Sequence, residues 1–271
     1  MARTAAAART AAGARTAVSS RTAIAAYRFP VTLLDLGVTH LYDWRTGFIG
    51  TNNSRPVNLA GFLRLTYLGG SALSSVYTAS EYSADLELTN TDYFQSSSIK
   101  LSSSAISNIT VFAWFKSETL TNASSLVAQW RAAAGLRGFE LRAQNTANSN
   151  KMTAFLSTDG TAVTQYNSTT GVFTDTNWHF GAWSYAGGTT TMLMNGDGSA
   201  LSSTLIAGSA PATILNPQQA VTVGAILNVG GSPINVADGK IGLCGLAVGT
   251  AMGASGLAEL YKLTNSIGHY V

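Results

Sequence analysis

Thirteen Asp and Glu, three His and a single Cys are the groups this 271-residue chain offers for acid–base, nucleophilic or metal chemistry. Hydrolysis of a glycosidic bond needs two carboxyl groups flanking it, about 5–5.5 Å apart in retaining enzymes. The nearest approach is Glu81, Asp85 and Glu87 in Glu-Tyr-Ser-Ala-Asp-Leu-Glu. In a strand, Asp85 and Glu87 alternate outward while Leu86 and Leu88 point inward, which is the pattern of a solvated face. His40, His179 and His269 are scattered, and no Gly-x-Ser-x-Gly elbow accompanies them. No zinc-ligand spacing, P-loop or dinucleotide glycine fingerprint is present. Cys244 excludes an intramolecular disulfide, and in its apolar surroundings it reads as a small buried hydrophobe. The chain therefore reads as non-enzymatic, with no resident cofactor.

The elements that would position a site are strands. Residues 177–196 read as a β-hairpin: Trp178 to Tyr185 as one strand, Gly187-Gly188 as a two-residue turn, and Thr189 to Met194 as the return before Asn195-Gly196. Ile109 to Lys116, Leu126 to Trp130, Met152 to Gly160 and Ala220 to Ala225 are further short runs bounded by Ser, Asn and Gly. Trp114, Trp178 and Trp183 fall inside these patterns and read as core. Asp159-Gly160 and Asp197-Gly198 read as turns. A C-terminal helix is expected with Ser255 as N-cap and with Leu257, Leu260 and Tyr261 on one face. Residues 241–258 carry no charge and have glycines at 245, 249 and 253, but the Gly-rich breaks favour a core strand and turn over a membrane span.

In order and wording, Ala113-Trp114-Phe115-Lys116, Leu126-Val127-Ala128-Gln129-Trp130, Ser157-Thr158-Asp159-Gly160, Trp178-His179, Asn195-Gly196 and Asp238-Gly239-Lys240-Ile241 resemble the laminin-G-like, concanavalin A-like jelly-roll family. The resemblance runs from about Asp85 to Leu263. It implies an all-β antiparallel sandwich with an extended N-terminal arm and one short C-terminal helix. The implied domains are an arm over 1–30, a connecting segment with the first sandwich strands over 31–84, and the jelly-roll body over 85–271. Where the family's closing strand carries acidic residues after Ile, this chain has Gly242 and Leu243. The Glu-x-Asp-x-x-Glu strand of the family's glycoside hydrolases is not matched. Glycan binding, sometimes through calcium, is implied, with Trp130, Tyr166 and Asn167 as sugar-contacting candidates and Asp159 and Asp175 as metal candidates.

The first thirty residues are a different kind of sequence. Arg3-Thr4, Arg9-Thr10, Arg15-Thr16 and Arg21-Thr22 recur every six residues. On an α-helix, which the alanines of this segment also favour, six residues turn through about 600°, scattering the arginines. In an extended chain every sixth side chain returns to one edge, roughly 20 Å further along. Arg3, Arg9, Arg15, Arg21 and Arg28 give +5 with no acid before Asp35, so the formal +3 of the chain leaves −2 for the rest. A one-sided basic ribbon suits docking along an acidic partner surface or nucleic acid.

Charged residues are only 11% of the chain, which suits a hydroxyl-covered β protein with surface committed to an assembly. No apolar signal-peptide core is seen. Together with the resemblance, this layout leads to the expectation of a virion structural protein of a tailed bacteriophage. The arm would anchor it to other capsid or tail proteins, and the sandwich would be exposed on the particle surface as a homo-oligomer or part of a symmetric assembly. The alternative is a glycan-binding adhesion module, extracellular or on a cell surface.

Overall fold

A computed structural model describes residues 33–44, 57–58, 65–71, 77–78, 83–268 and 270; the arginine-periodic segment and His269 lie outside the described residues. Short runs rich in β-branched, aromatic and small side chains build two antiparallel sheets that face each other. One has nine strands, running from the edge strand Ser199–Leu201 through Leu193–Gly196, His179–Ala186, Asn108–Ser117, Gly239–Val248 and His40–Asp43 to Val57–Asn58. Ser83–Leu86 also pairs with Gly239–Val248 and with Tyr77–Thr78. The other sheet has eight, in the order Ser203–Ala207, Thr164–Gly171, Lys151–Leu156, Arg137–Ala143, Ser124–Trp130, Thr222–Val223, Tyr93–Ser96 and Leu65–Leu68. This is the jelly-roll sandwich expected. Strands 40–43 and 65–68 show that the segment before residue 85 contributes to both sheets.

The inner faces interdigitate in a core that includes Val111, Phe115, Phe139, Leu141, Met152, Tyr166, Trp183, Tyr185 and Leu246. Cys244 lies in that core, and burial pushes its thiol pKa up, so it is the inert hydrophobe its context suggested. A second apolar layer sits on the outer face of the nine-stranded sheet. There the helix Ala254–Gly268, hereafter α1, buries Leu257, Leu260 and Ile267 against Leu41, Phe112, Trp114, Phe180 and Leu243. Trp114 donates from Nε1 to Thr264 Oγ1 at 2.8 Å and stacks on Tyr261 and Tyr270 at 5.4 and 4.8 Å. Tyr270 lies over Gly242 and Leu243 of the closing strand. Its hydroxyl accepts from Leu243 N at 2.6 Å, and a Cβ added at Gly242 would meet its ring at 2.5 Å. Among the described residues, no helix is long and apolar enough to cross a membrane.

Several local expectations are corrected. α1 begins at Ala254, so Ser255 lies inside the first turn and is not the N-cap. The strand expected to run to Gly160 ends at Leu156, because Ser157 Oγ turns back to the Ala162 carbonyl. The strand expected over 220–225 is paired only at Thr222–Val223. The hairpin around 187–188 is wider than a two-residue turn. Ser184 pairs with Leu193, and the Gly187 and Gly188 amides donate to Ser107 and Pro211 carbonyls at 2.7 and 2.8 Å rather than closing on the return strand. A side chain at Gly187 would collide with the Ala212 carbonyl, which explains the glycine. The tight turn lies one strand later, at Asp197-Gly198, where φ is +49° and +83° as a type I′ turn requires.

Candidate functional site

Among the described residues no helix packs on the outer face of the eight-stranded sheet, and strand parity decides what that face shows. Phe139, Leu141 and Ala143 enter the core, so Glu140 and Arg142 point out. Met152, Ala154 and Leu156 enter it, so Lys151, Thr153 and Phe155 point out. Register then brings them together, with Thr153 opposite Arg142 and Asn167, and Phe155 opposite Glu140 and Gln165.

The resulting surface is a hydrogen-bonded ladder with an aromatic centre. Arg142 donates bidentately to Glu140, Nε to Oε1 at 2.7 Å and Nη2 to Oε2 at 2.8 Å. The Glu140 side chain is wholly buried and that of Arg142 is 16% exposed, so the guanidinium roofs its own partner. The guanidinium carbon also lies 4.4 Å from the centroid of the half-buried Phe155 ring. Beside it, Thr153 Oγ1 donates to Asn167 Oδ1 at 2.9 Å, and Gln144 and Gln165 amides donate to Thr153 Oγ1 and Asn167 Oδ1 at 3.1 and 3.0 Å. Fixed amides and hydroxyls next to a ring and a planar cation form the kind of surface that holds a polyhydroxylated ligand.

One side of this face has a wall. Ile226–Leu227 and Pro233–Ile234 form a small hairpin anchored by Ala132 N to the Leu227 carbonyl at 2.7 Å and by Arg131 Nη2 to the Val229 carbonyl at 2.8 Å. Ile226 packs on Ala128 and Trp130, with Phe155 and Val163 against them. Trp130 is therefore only 5% exposed under the hairpin, with the Arg137 guanidinium 5.9 Å from its ring centroid and Arg137 tied to the Thr161 carbonyl.

The expected sugar-contacting residues separate accordingly. Asn167 stands on the open face. Tyr166, its neighbour in sequence, has the opposite parity: it is fully buried, its ring 5.8 Å from Tyr185 and its hydroxyl donating to the Thr189 carbonyl at 3.0 Å. Neither Tyr166 nor Trp130 has a free ring face on which a sugar could stack. Glu140, Arg142 and Phe155 were missed in the sequence, although the alternation of Phe-Glu-Leu-Arg-Ala and Met-Thr-Ala-Phe-Leu contained the signal.

The metal candidates Asp159 and Asp175 each serve their own turn. Asp159 accepts from Thr161 N and Ala162 N, both at 2.7 Å, and these bonds hold its carboxyl below the usual range. Asp175 accepts from Asn177 N at 2.7 Å, which lowers its pKa in the same way. Asp175 also meets His179 Nε2 at 3.2 Å, while Asp197 meets His179 Nδ1 at 2.9 Å and accepts from Phe180 N at 2.7 Å. A closer acidic group lies elsewhere: carboxylate oxygens of Asp85, Glu87 and Glu118 are within 4.8 Å of one another, a set that could hold a cation. Burial first, and the Glu118 and Asp85 charges second, push Glu87 up. Asp85 and Glu87 face outward as expected, and Asp85 is cross-strand from Lys240.

Residues 88–228, just over half of the chain, match the family described as the concanavalin A-like lectin/glucanases superfamily, and the chain belongs to that family. No curated protein sequence matches the chain. Among solved structures, the binding domain of botulinum neurotoxin serotype D/C is similar with a TM-score of 0.56 at 9% identity, covering 83% of this chain and 52% of that one. A structure of botulinum neurotoxin type C, whose cell entry is dependent upon interaction with two ganglioside molecules, gives 0.57 at 8% identity over 85% and 52%. The DC binding domain in complex with rat synaptotagmin II gives 0.55 at 8% identity over 83% and 51%. The chain thus spans about half the length of these structures, and at such identities the likeness is one of fold.

Proposed function

We propose that this member of the concanavalin A-like lectin/glucanases superfamily is a non-enzymatic adhesion module that binds carbohydrate on the outer face of its eight-stranded sheet. The observation that carries the reading is the contrast in cover: α1 seals one outer face, whereas the other presents Arg142 over Phe155 beside the Thr153–Asn167–Gln165 ladder. Among the described residues the strands of the open face carry one carboxylate, Glu140, locked to Arg142, where glycoside hydrolysis requires two across a bond. The ganglioside dependence of the type C neurotoxin supports the ligand class by analogy of fold. The test is a glycan array with wild type and Phe155→Ala. Binding lost in the variant, with the far-ultraviolet spectrum unchanged, is the expected result; no hit for the wild type would refute the reading.

Within that reading, the location we propose is a virion of a tailed bacteriophage, where the arginine-periodic arm fastens the module to capsid or tail and the sandwich faces outward. The six-residue period and the confinement of +5 to the arm favour this placement. Removal of residues 1–28 should abolish co-sedimentation with particles lacking the protein; unchanged incorporation would eliminate the anchor.

A further inference from the structure

The shortage of charge in this chain is not spread evenly. Between Gly160 and Ala237 the only acidic or basic side chains are Asp175, His179 and Asp197. The fold gathers much of that stretch on one flank: Thr164–Gly171 and the terminal strand Ser203–Ala207 of the eight-stranded sheet, with His179–Ala186, Leu193–Gly196 and the terminal strand Ser199–Leu201 of the nine-stranded sheet. The three ionisable groups there are tied to one another and to local backbone, His179 between Asp175 and Asp197. Neither terminal strand carries a side-chain charge; the flank's two carboxylates, Asp175 and Asp197, lie off them on either side of His179.

Ser203–Ala207 is a terminal strand without the usual protection. Among the described residues it pairs only with Thr164–Gly171, so one row of its backbone donors and acceptors is left at the sheet edge. Soluble proteins blunt such edges with lysine, proline or inward charge, and Ser-Thr-Leu-Ile-Ala contains none of these. Leu205 packs on the core, which leaves Thr204 and Ile206 on the outer side, and Ile206 is 52% exposed; Leu193 nearby is 44% exposed.

We propose that this edge is a self-association surface, and that Ser203–Ala207 pairs antiparallel with the same strand of a second copy across a two-fold axis, joining the two eight-stranded sheets. An identical uncharged edge meets no like-charge repulsion, and two-fold pairing satisfies both strands with one contact. Ser203–Ala207 itself carries no carboxylate with which an arginine-bearing arm could pair, which argues against the chain's own N-terminal segment as the occupant of this edge. Antiparallel pairing places the axis perpendicular to the joined sheet, so both open faces look the same way. Resting on the carbohydrate reading above, that makes the dimer bivalent toward a glycan-coated surface.

Sedimentation equilibrium of the full chain tests this, with Ile206→Lys, Ile206→Glu and an equimolar mixture of the two. The site is half exposed, so both variants should keep the wild-type circular dichroism. The expected result is a wild-type monomer–dimer equilibrium, association weakened about tenfold or more in each variant, and recovery in the mixture. Amide exchange at 203–207 should slow with wild-type concentration. A wild type that stays monomeric, a dimer indifferent to both variants, or open-ended oligomers in place of a dimer would each overturn the proposal. So would glycan binding by a strict monomer with full avidity, but that outcome leaves the carbohydrate reading intact.

Discussion

The two outer faces of the sandwich are built by the same alternation and end in opposite states. On the nine-stranded sheet the outward residues Phe112, Trp114, Phe180 and Leu243 are apolar, and α1 with Tyr270 covers them. On the eight-stranded sheet the outward residues Glu140, Arg142, Thr153, Gln165 and Asn167 are polar, with Glu140 and Thr153 sealed beneath their neighbours, and among the described residues no helix lies over them. A covered apolar face contributes stability, and an uncovered polar one keeps hydrogen-bonding groups in place for something outside the chain. The comparison teaches that one fold can cover one outer face and leave the other open, and the proposed recognition is assigned to the open one rather than to the aromatic residues.

The sharpest way to break that contrast is Trp114→Ala. Removing the indole takes away packing against Phe180, Tyr261 and Tyr270 and leaves Thr264 without its donor, for an expected loss of about 3–5 kcal/mol by urea unfolding. Glycan affinity of the fraction that remains folded should not change. Glu140→Ala acts on the open face. It strands the Arg142 guanidinium, and because that side chain is partly exposed the expected cost is only about 2 kcal/mol, with affinity reduced because the cation no longer lies fixed over Phe155. Asn167→Ala should cost under about 1 kcal/mol in stability while weakening glycan binding severalfold, since its carbonyl organises the Thr153 and Gln165 groups. Equal effects of Trp114→Ala and Asn167→Ala on affinity would erase the distinction between the faces.

The smallest expected effect depends on pH. Burial opposes protonation of His179, but the hydrogen bond and charge of Asp197, followed by Asp175, outweigh it and raise its pKa above the ordinary 6.5. A raised histidine pKa means stabilisation that is full below the unfolded value and is lost as pH climbs through the folded one. Wild type should therefore lose more stability than His179→Gln between about pH 6 and about pH 8, by less than about 1 kcal/mol because both carboxylates are largely exposed. Parallel thermal-denaturation curves across that range would remove His179 from the stability of the Asp197-Gly198 turn.

Much of the fold was legible because it follows local rules. Runs of β-branched, aromatic and small residues bounded by Ser, Asn and Gly pointed to strands over 109–116, 126–130 and 178–185, which the fold places at 108–117, 124–130 and 179–186, and Asp197-Gly198 announced its turn. The 187–188 connection was misread because its glycines answer to Ser107 and Pro211, residues distant in sequence. The site was legible only in part. Asn167 and Tyr166 were named together because adjacency in sequence was read as adjacency on a face, and strand parity forbids that, sending Tyr166 into the core and Asn167 outward. Trp130 failed for another reason: the hairpin that covers it comes almost a hundred residues later, and no local pattern announces that contact. The Arg142–Glu140 pair was invisible as chemistry because an i, i+2 salt bridge matters only once a sheet places Phe155 beneath it.

Amide hydrogen exchange of the full chain, with and without a glycan identified on the array, tests most directly which face recognises ligand. Protection gained across Arg137–Ala143, Lys151–Leu156 and Thr164–Gly171 is the predicted result. Protection confined to α1 or to the Asp85, Glu87 and Glu118 rim, with those three strands unchanged, would contradict it.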